Sequence, residues 1–365
     1  MQIAEIIHFL ESIAPPSLQE TYDNTGLITG SAGWECTGIV VSLDATEEVI
    51  LEAKAKGANL IIAHHPIVFS GLKKITGKTY VERTVISSIK HDIAIYAIHT
   101  NLDNVIEGVN GKMAEKLGLT NCQILKPKSS TLKKLFTFVP VGQAESVRAA
   151  IFEAGAGNIG NYSECSFNVA GTGTFKGGSG TNPFVGEPGK RHEEAELKIE
   201  VIFPAWLENQ IINSLLKAHP YEEVAYDIVS LDNQFQAVGA GIVGELPSPI
   251  SEPEFLQLLK LSFGLQVIRH TPLLQKTVQK VAVCGGAGSF LTKTAITAGA
   301  DAYITGDVKY HEFFDADGRL LLADIGHWES EQFTIDLLAD HLSRKFPTFA
   351  VLKTGVKTNP VEYFK

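Results

Sequence analysis

Short apolar runs that stop abruptly at polar residues recur near both ends of this chain, each followed by a helical pattern. GIVVSLDA (38–45) and NLIIAH (59–64) read as buried strands separated by the helical TEEVILEAKAKG, and YVERTVISSIKH precedes a third strand, IAIYAIHT. Nearly continuous hydrophobic strands alternating with helices call for a parallel sheet covered on both faces. The last third repeats the rhythm: VQKVAVCGG, DAYITG and RLLLADIG read as strands with helices between them, and a long helix begins near His327. The expected architecture is α/β, with two similar lobes and mainly parallel sheets.

The second run ends in adjacent histidines, His64 and His65, followed by a proline that stops further pairing. Sheets of this kind build their sites at strand ends, and imidazole with carboxylate suits borderline divalent ions. Asp103 follows the third strand, and His327 and Glu331 stand four apart, on one face of a helix. Neighbouring side chains on an extended segment point to opposite sides, so His64 and His65 suit two ions better than one. Paired ions in hydrolases lie about 3.5–4 Å apart, a gap a two-oxygen carboxylate such as Glu331 bridges. One partition gives His65 and Asp103 to one ion, and His64 and His327 to the other. Each residue also has a purely structural role open to it. The histidines can cap backbone carbonyls, Asp103 can hold an Asx turn, and Glu331 can complement a helix dipole.

Other polar groups carry two readings each. His99, four residues before Asp103, is either a proton carrier beside the ions or a satisfied core residue. Asp307 and His311 either face the same cleft or lie on a solvated helix. The glycines of CGGAGS (284–289) either let backbone N–H groups meet an anion or make a tight turn. YDNTG (22–26) either lines the pocket or simply turns the chain. His219, Glu222 and Glu223 read as a helix end entering a strand more readily than as a second metal site.

At 365 residues the chain should hold two or three units. Residues 155–190 hold ten of the 33 glycines, in AGAGNIGNY, AGTGTFKGGSG and FVGEPGK, and read as loops linking short strands. Around them the order is strand KLFTFVPV, helix ESVRAAIFEAG, strand AELKIEVIFP, helix WLENQIINSLLKAH and strand EEVAYDIVSL, which suits a ferredoxin-like antiparallel insert. The expected division is 1–126 and 237–365 for a discontinuous α/β metal domain, with 127–236 inserted.

Net charge of −10 weighs against a broad nucleic-acid surface. Cys36, Cys122, Cys165 and Cys284 are scattered without CxxC pairing, as thiols in a reducing compartment are. MQIAEIIHFLESIAPP reads as a packed helix with acids between its isoleucines, unlike a signal peptide, and no apolar run approaches the roughly 20 residues of a membrane span. The cytoplasm is the expected location, with no membrane partner.

YDNTGLITG (22–30), HHPIVF (64–69), YAIHTNLDN (96–104), AVCGGAGS (282–289), DAYITGDVKYHE (301–312) and DIGHWESEQ (324–332) together resemble the dinuclear metal-centre hexameric proteins known as GTP cyclohydrolase I type 2 homologs, or the Ngg-interacting-factor-three-like family. The resemblance implies that His64, His65, Asp103, His327 and Glu331 are the metal ligands, and that six chains assemble. KLFTFVP, GAGNIGNYSECSF and HPYEEVAYDI likewise resemble the CutA and PII-like domain inserted in longer family members.

Two divalent ions per chain (zinc, iron or manganese) would acidify water, so hydrolysis is the expected reaction. His99 or Asp324 would orient the ligands. The family name implies GTP as substrate, and a nucleotide-like bond suits the same metals. The competing expectation is a non-catalytic hexameric scaffold or sensor in which the PII-like insert gates access or binds a partner.

Overall fold

A computed structural model describes residues 1–364. The chain divides into two compact units, Met1–Pro127 with Gln236–Lys365, and Lys128–Phe235.

The larger unit contains two sheets. In the first the strands run in the order Gly26–Thr29, Ala94–Ala97, Leu60–His65, Ile39–Asp44, Val351–Lys353. Every pairing is parallel except that of the edge strand Gly26–Thr29. Leu60, Ile61, Ile62 and Ala63 are wholly buried, as are Ile39, Val40 and Val41, so their unbroken hydrophobicity reflects cover on both faces. The helices Glu47–Ala55 and Tyr80–Lys90 begin at Thr46 and Thr79, whose hydroxyls accept from Val49 N and Glu82 N.

The second sheet runs Arg269–His270, Leu321–Asp324, Ala302–Gly306, Thr277–Ala287, Gly239–Ser251, Thr120–Pro127. Its central pairings, of Ala302–Gly306 with each neighbour, are parallel, whereas the outer ones are antiparallel. The source of that mixture is the chain's route. Thr120–Pro127 leaves the sheet and Gly239–Ser251 returns beside it, pairing Gly239 with Pro127. The intervening unit is thus spliced into the turn of a β-hairpin. At Gly239 a Cβ would stand 2.2 Å from Lys126 O, so only glycine permits this pairing.

Residues 128–235 form a βαββαβ unit. Its antiparallel sheet runs Phe167–Lys176, Arg191–Pro204, Leu132–Pro140, Tyr226–Leu231. The helices Ala144–Glu153 and Glu208–Ala218 cover one face, packing Val147, Ile151, Ile211 and Leu215 on Leu135, Ile199 and Val201. This is the ferredoxin-like arrangement. The glycine-rich AGTGTFK, expected as loop, lies within the strand Phe167–Lys176. Its Gly173 sits where a Cβ would meet the Glu196 carboxylate at 2.2 Å, a close approach of the kind that puts glycine in a strand. Among the described residues no helix is long and apolar enough to cross a membrane.

The hairpin splice predicts that replacing 128–235 by a short glycine-containing turn leaves the larger unit able to fold. Such a chain should keep a cooperative thermal transition by circular dichroism; a broad, non-cooperative melt would show that the larger unit depends on the insert.

Candidate metal centre

Three imidazoles, those of His64, His65 and His327, converge on one carboxylate, and a fourth, His99, stands beside them. The strand Leu60–His65 lies between two parallel neighbours, and each of its terminal histidines is anchored by one of them. His64 Nδ1 donates to Ile98 O at 2.8 Å, just beyond the strand Ala94–Ala97. His65 Nδ1 meets Asp44 Oδ1 at 2.8 Å, on the other neighbour, where Asp44 and His65 are register partners. His327 opens the short helix His327–Glu331, and its Nδ1 meets Asp307 Oδ2 at 2.7 Å. His99 Nδ1 meets Asp23 Oδ1, also at 2.8 Å. With every Nδ1 engaged, each Nε2 is free to point inward, the orientation that outer carboxylates and carbonyls impose on ligand histidines.

Glu331 occupies the middle. Its Oε2 stands 2.9 Å from His65 Nε2, 3.2 Å from His327 Nε2 and 3.9 Å from His64 Nε2. Asp103, at the end of the helical turn Thr100–Asp103, brings Oδ1 to 3.6 Å from His64 Nε2. Three donor sets result, His64 with Asp103 and Glu331, His65 with His327 and Glu331, and His64 with His65 and His99, the atoms of each lying within 4.8 Å of one another. The first two share Glu331, as a bridging carboxylate would be shared. They group the donors differently from the expected partition: Asp103 follows the strand on His64's side and stands with His64, leaving His65 beside His327. Alternation along the strand also separates the two histidines less than expected. Their ring centroids are 4.9 Å apart, since both rings turn toward the same carboxylate.

The electrostatics mark the cluster as short of positive charge. Among the described residues no lysine or arginine pairs with Glu331 or Asp103. Burial, then the charge of Glu331, pushes the Asp103 carboxyl up to about 7. Burial also works against the charge on Glu331, but the imidazoles of His327, His64 and His65 around it outweigh that cost and hold the carboxyl well below the usual range. Burial disfavours charge on His65, yet its bonds to Asp44 and Glu331 raise it to about 10. His327 rises to about 9 against burial, through Glu331 and then Asp307. Two buried atoms, His64 Nε2 and Asp103 Oδ1, have no hydrogen-bond partner. Two orphaned acceptors 3.6 Å apart, beside an anionic carboxylate, fit a divalent cation, which would satisfy both.

The glycines of CGGAGS have a different job from either expected one. Gly286 N donates to Ser330 Oγ at 2.9 Å, Gly285 N to Asn110 Oδ1 at 2.9 Å and Gly288 N to Thr305 Oγ1 at 2.9 Å, so these N–H groups are already spent. The stretch brings backbone against the ligand helix. At Gly286, with φ +60°, a Cβ would lie 2.4 Å from Glu331 Oε1. Asn110 also donates to Asp103 O at 2.9 Å, tying the Asp103 turn to the same strand.

Asp324 does not orient a ligand side chain. It accepts from Gly326 N, Val308 N and Arg269, fixing the turn into His327, while Asp307 holds the imidazole. His311 packs with Tyr310 and Phe314, and the donor sets do not include it. YDNTG does border the cluster, through Asp23. His219 spends Nε2 on Phe138 O and Nδ1 on Tyr221 N, as a helix-end residue would. Asp307 does reach the cleft, through His327, and Asp23 does so as part of YDNTG, whereas Asp44 and Asn110 are not among the residues expected from the sequence. For Asp44 a signal existed: GIVVSLD and LIIAHH are parallel neighbours, so their polar ends coincide.

The fold and the cluster define an α/β protein that gathers histidine and carboxylate at the strand ends of one sheet and the loop ends of another. The comparisons agree, and the chain belongs to the Duf34/NIF3 (NGG1p interacting factor 3) family, which it matches over residues 1–360. It is 43% identical over 325 residues to a Halalkalibacterium halodurans protein called GTP cyclohydrolase 1 type 2 homolog, covering 88% of this chain and 87% of that one. The Bacillus subtilis protein of the same name is 40% identical over 326 residues, covering 89% and 87%. Among solved structures, a Bacillus cereus protein related to NIF3 superposes with a TM-score of 0.88 at 38% identity, covering 100% of this chain and 99% of that one.

Two predictions follow from this geometry. Gly286→Ala forces a side chain against Glu331 in a left-handed backbone and should cost about 1–3 kcal/mol, read as a lowered melting temperature. The second concerns pH in the metal-stripped chain. Stability from protonated His65 and His327 is full below their ordinary value of 6.5 and is lost as pH rises through about 9 and 10. Asp103, raised from 3.8 to about 7, adds a cost that grows across that interval. Glu331, held low, contributes unchanged above 4.5. The melting temperature in chelator should therefore fall between pH 6 and pH 10, and a saturating divalent ion should flatten the fall.

Proposed function

We propose that this protein binds two divalent ions per chain at His64, His65, Asp103, His327 and Glu331 and hydrolyses a nucleotide-like substrate there. The observation that carries the proposal is the pair of orphaned buried atoms, His64 Nε2 and Asp103 Oδ1, facing a glutamate that a second histidine pair also contacts. His64 and Asp103 would hold one ion and His65 and His327 the other, with Glu331 between them. Ions so placed supply Lewis acidity that makes water a nucleophile near neutral pH and polarises the bond under attack. Zinc, iron and manganese all suit this donor set.

The chain's own groups would do the rest. His99, anchored through Nδ1 on Asp23 and with its ring 5.3 Å from those of both His64 and His65, would carry a proton to the leaving group. His327 is the most open of the histidine ligands and marks the side from which substrate enters. Phe69 lies with its ring 5.7 Å from that of His99 and is exposed, as is Tyr22, whose hydroxyl feels the charges of Glu20 and Asp103. Two exposed aromatics beside the cluster support a substrate with a flat ring. The name carried by the relatives points to GTP within that class.

Assembly into a homohexamer in the cytoplasm belongs to the same proposal. Its support is the uncovered face of the 128–235 sheet, where Phe167, Val169 and Val229 are exposed. That face also supports a second reading, a metal-dependent scaffold in which assembly is the function.

Elemental mass spectrometry of the purified chain should find about two ions, falling sharply in Glu331→Ala. With the metal so identified, nucleotide hydrolysis should drop at least a hundredfold in that variant while light scattering shows unchanged assembly. Assembly lost together with metal, and no turnover in the wild type, would favour the scaffold.

A further inference from the structure

The segment after the strand Val351–Lys353 runs back along the cluster. Gly355 N donates to Glu52 Oε1 at 2.8 Å and the Thr354 hydroxyl to Glu52 Oε2, fixing the segment to the helix Glu47–Ala55. Further on, the Thr358 hydroxyl donates to Asp44 Oδ2 at 2.6 Å, while Asp44 Oδ1 holds His65 Nδ1. Asn359 Nδ2 donates to Glu329 Oε1 at 3.2 Å, and the charge of the same carboxylate reaches the Tyr363 hydroxyl. Glu329 lies in the helix His327–Glu331. One stretch of chain therefore holds the partner of His65 and the helix that carries His327 and Glu331.

We propose that residues 354–363 are a positioning strap for one of the two ions, the one assigned to His65, His327 and Glu331, with Thr358 as its principal positioning residue. This rests on the two-ion reading above. A carboxylate bonded through one oxygen can swing about its Cβ–Cγ bond, and the imidazole it holds swings with it. Asp44 is bonded through both oxygens, so the direction of His65 Nε2 is fixed. Asp44 is 31% exposed, and without the Thr358 hydroxyl water would occupy Oδ2 with no preferred direction. His64 takes no part in this chain of contacts: its anchor is a backbone carbonyl, and Asp103 is tied down by Asn110. Through Asp44 and His65, Thr358 acts on one donor set alone.

The test is zinc titration of the metal-stripped full-length chain against a competing chelator, with bound ions counted by elemental mass spectrometry and folding followed by circular dichroism. Thr358→Val should weaken one of two binding steps by about three- to tenfold, less than the 10–100-fold typical of groups touching the ligands directly, and leave the other within about twofold. Thr358→Ser, which keeps the hydroxyl, should titrate as wild type. The proposal is overturned if the valine variant matches wild type, if both steps weaken together, or if serine is as weak as valine. A wild-type chain that takes up no zinc would instead remove the two-ion reading, and the strap with it.

Discussion

The centre depends on how an imidazole divides its two nitrogens between scaffold and site. His64, His65, His99 and His327 each give Nδ1 to an acceptor set by the fold, namely Ile98 O, Asp44, Asp23 and Asp307. These acceptors come from four separate segments, so the register of the first sheet and the turn after Ala302–Gly306 decide where the opposing Nε2 atoms point. A shift of one residue along Leu60–His65 would exchange the faces of the two histidines and unmake the cluster.

The same place stitches the two sheets of the larger unit together. Asn110 bonds both the Asp103 carbonyl and Gly285 N, and Ser330 accepts from Gly286 N while donating to His327 O. These bonds fix the segments around the donors, while two buried donor atoms, His64 Nε2 and Asp103 Oδ1, are left without a partner. The desolvation of those two atoms is a cost that a bound cation would relieve.

Much of this was legible in the sequence. The strand and helix alternation, the strand-end histidines and the HxxxE spacing are local patterns, and all five proposed ligands stand in one cluster. What periodicity could not supply was register between segments far apart in the chain. Asp44 and His65 lie twenty-one residues apart in the sequence, yet their contact follows once the two strands are aligned in parallel. The antiparallel strands Thr120–Pro127 and Gly239–Ser251 escaped notice because their partners are separated by the whole insert. Glycines such as 171 and 173 suggest a loop in the sequence, since glycine's two uses, positive φ and close approach, look alike there.

The donors also come from distant parts of the chain. His65 and Glu331 touch across 266 positions, and no donor set that includes Glu331 can close before the ribosome has released that helix. Until then the nascent chain holds a histidine pair and an aspartate without their central carboxylate, and closing so long a loop carries an entropic cost that later contacts must offset. An ion captured by all five residues would therefore report that both ends of the larger unit had been made and had met, so loading would act as a late check on chain assembly.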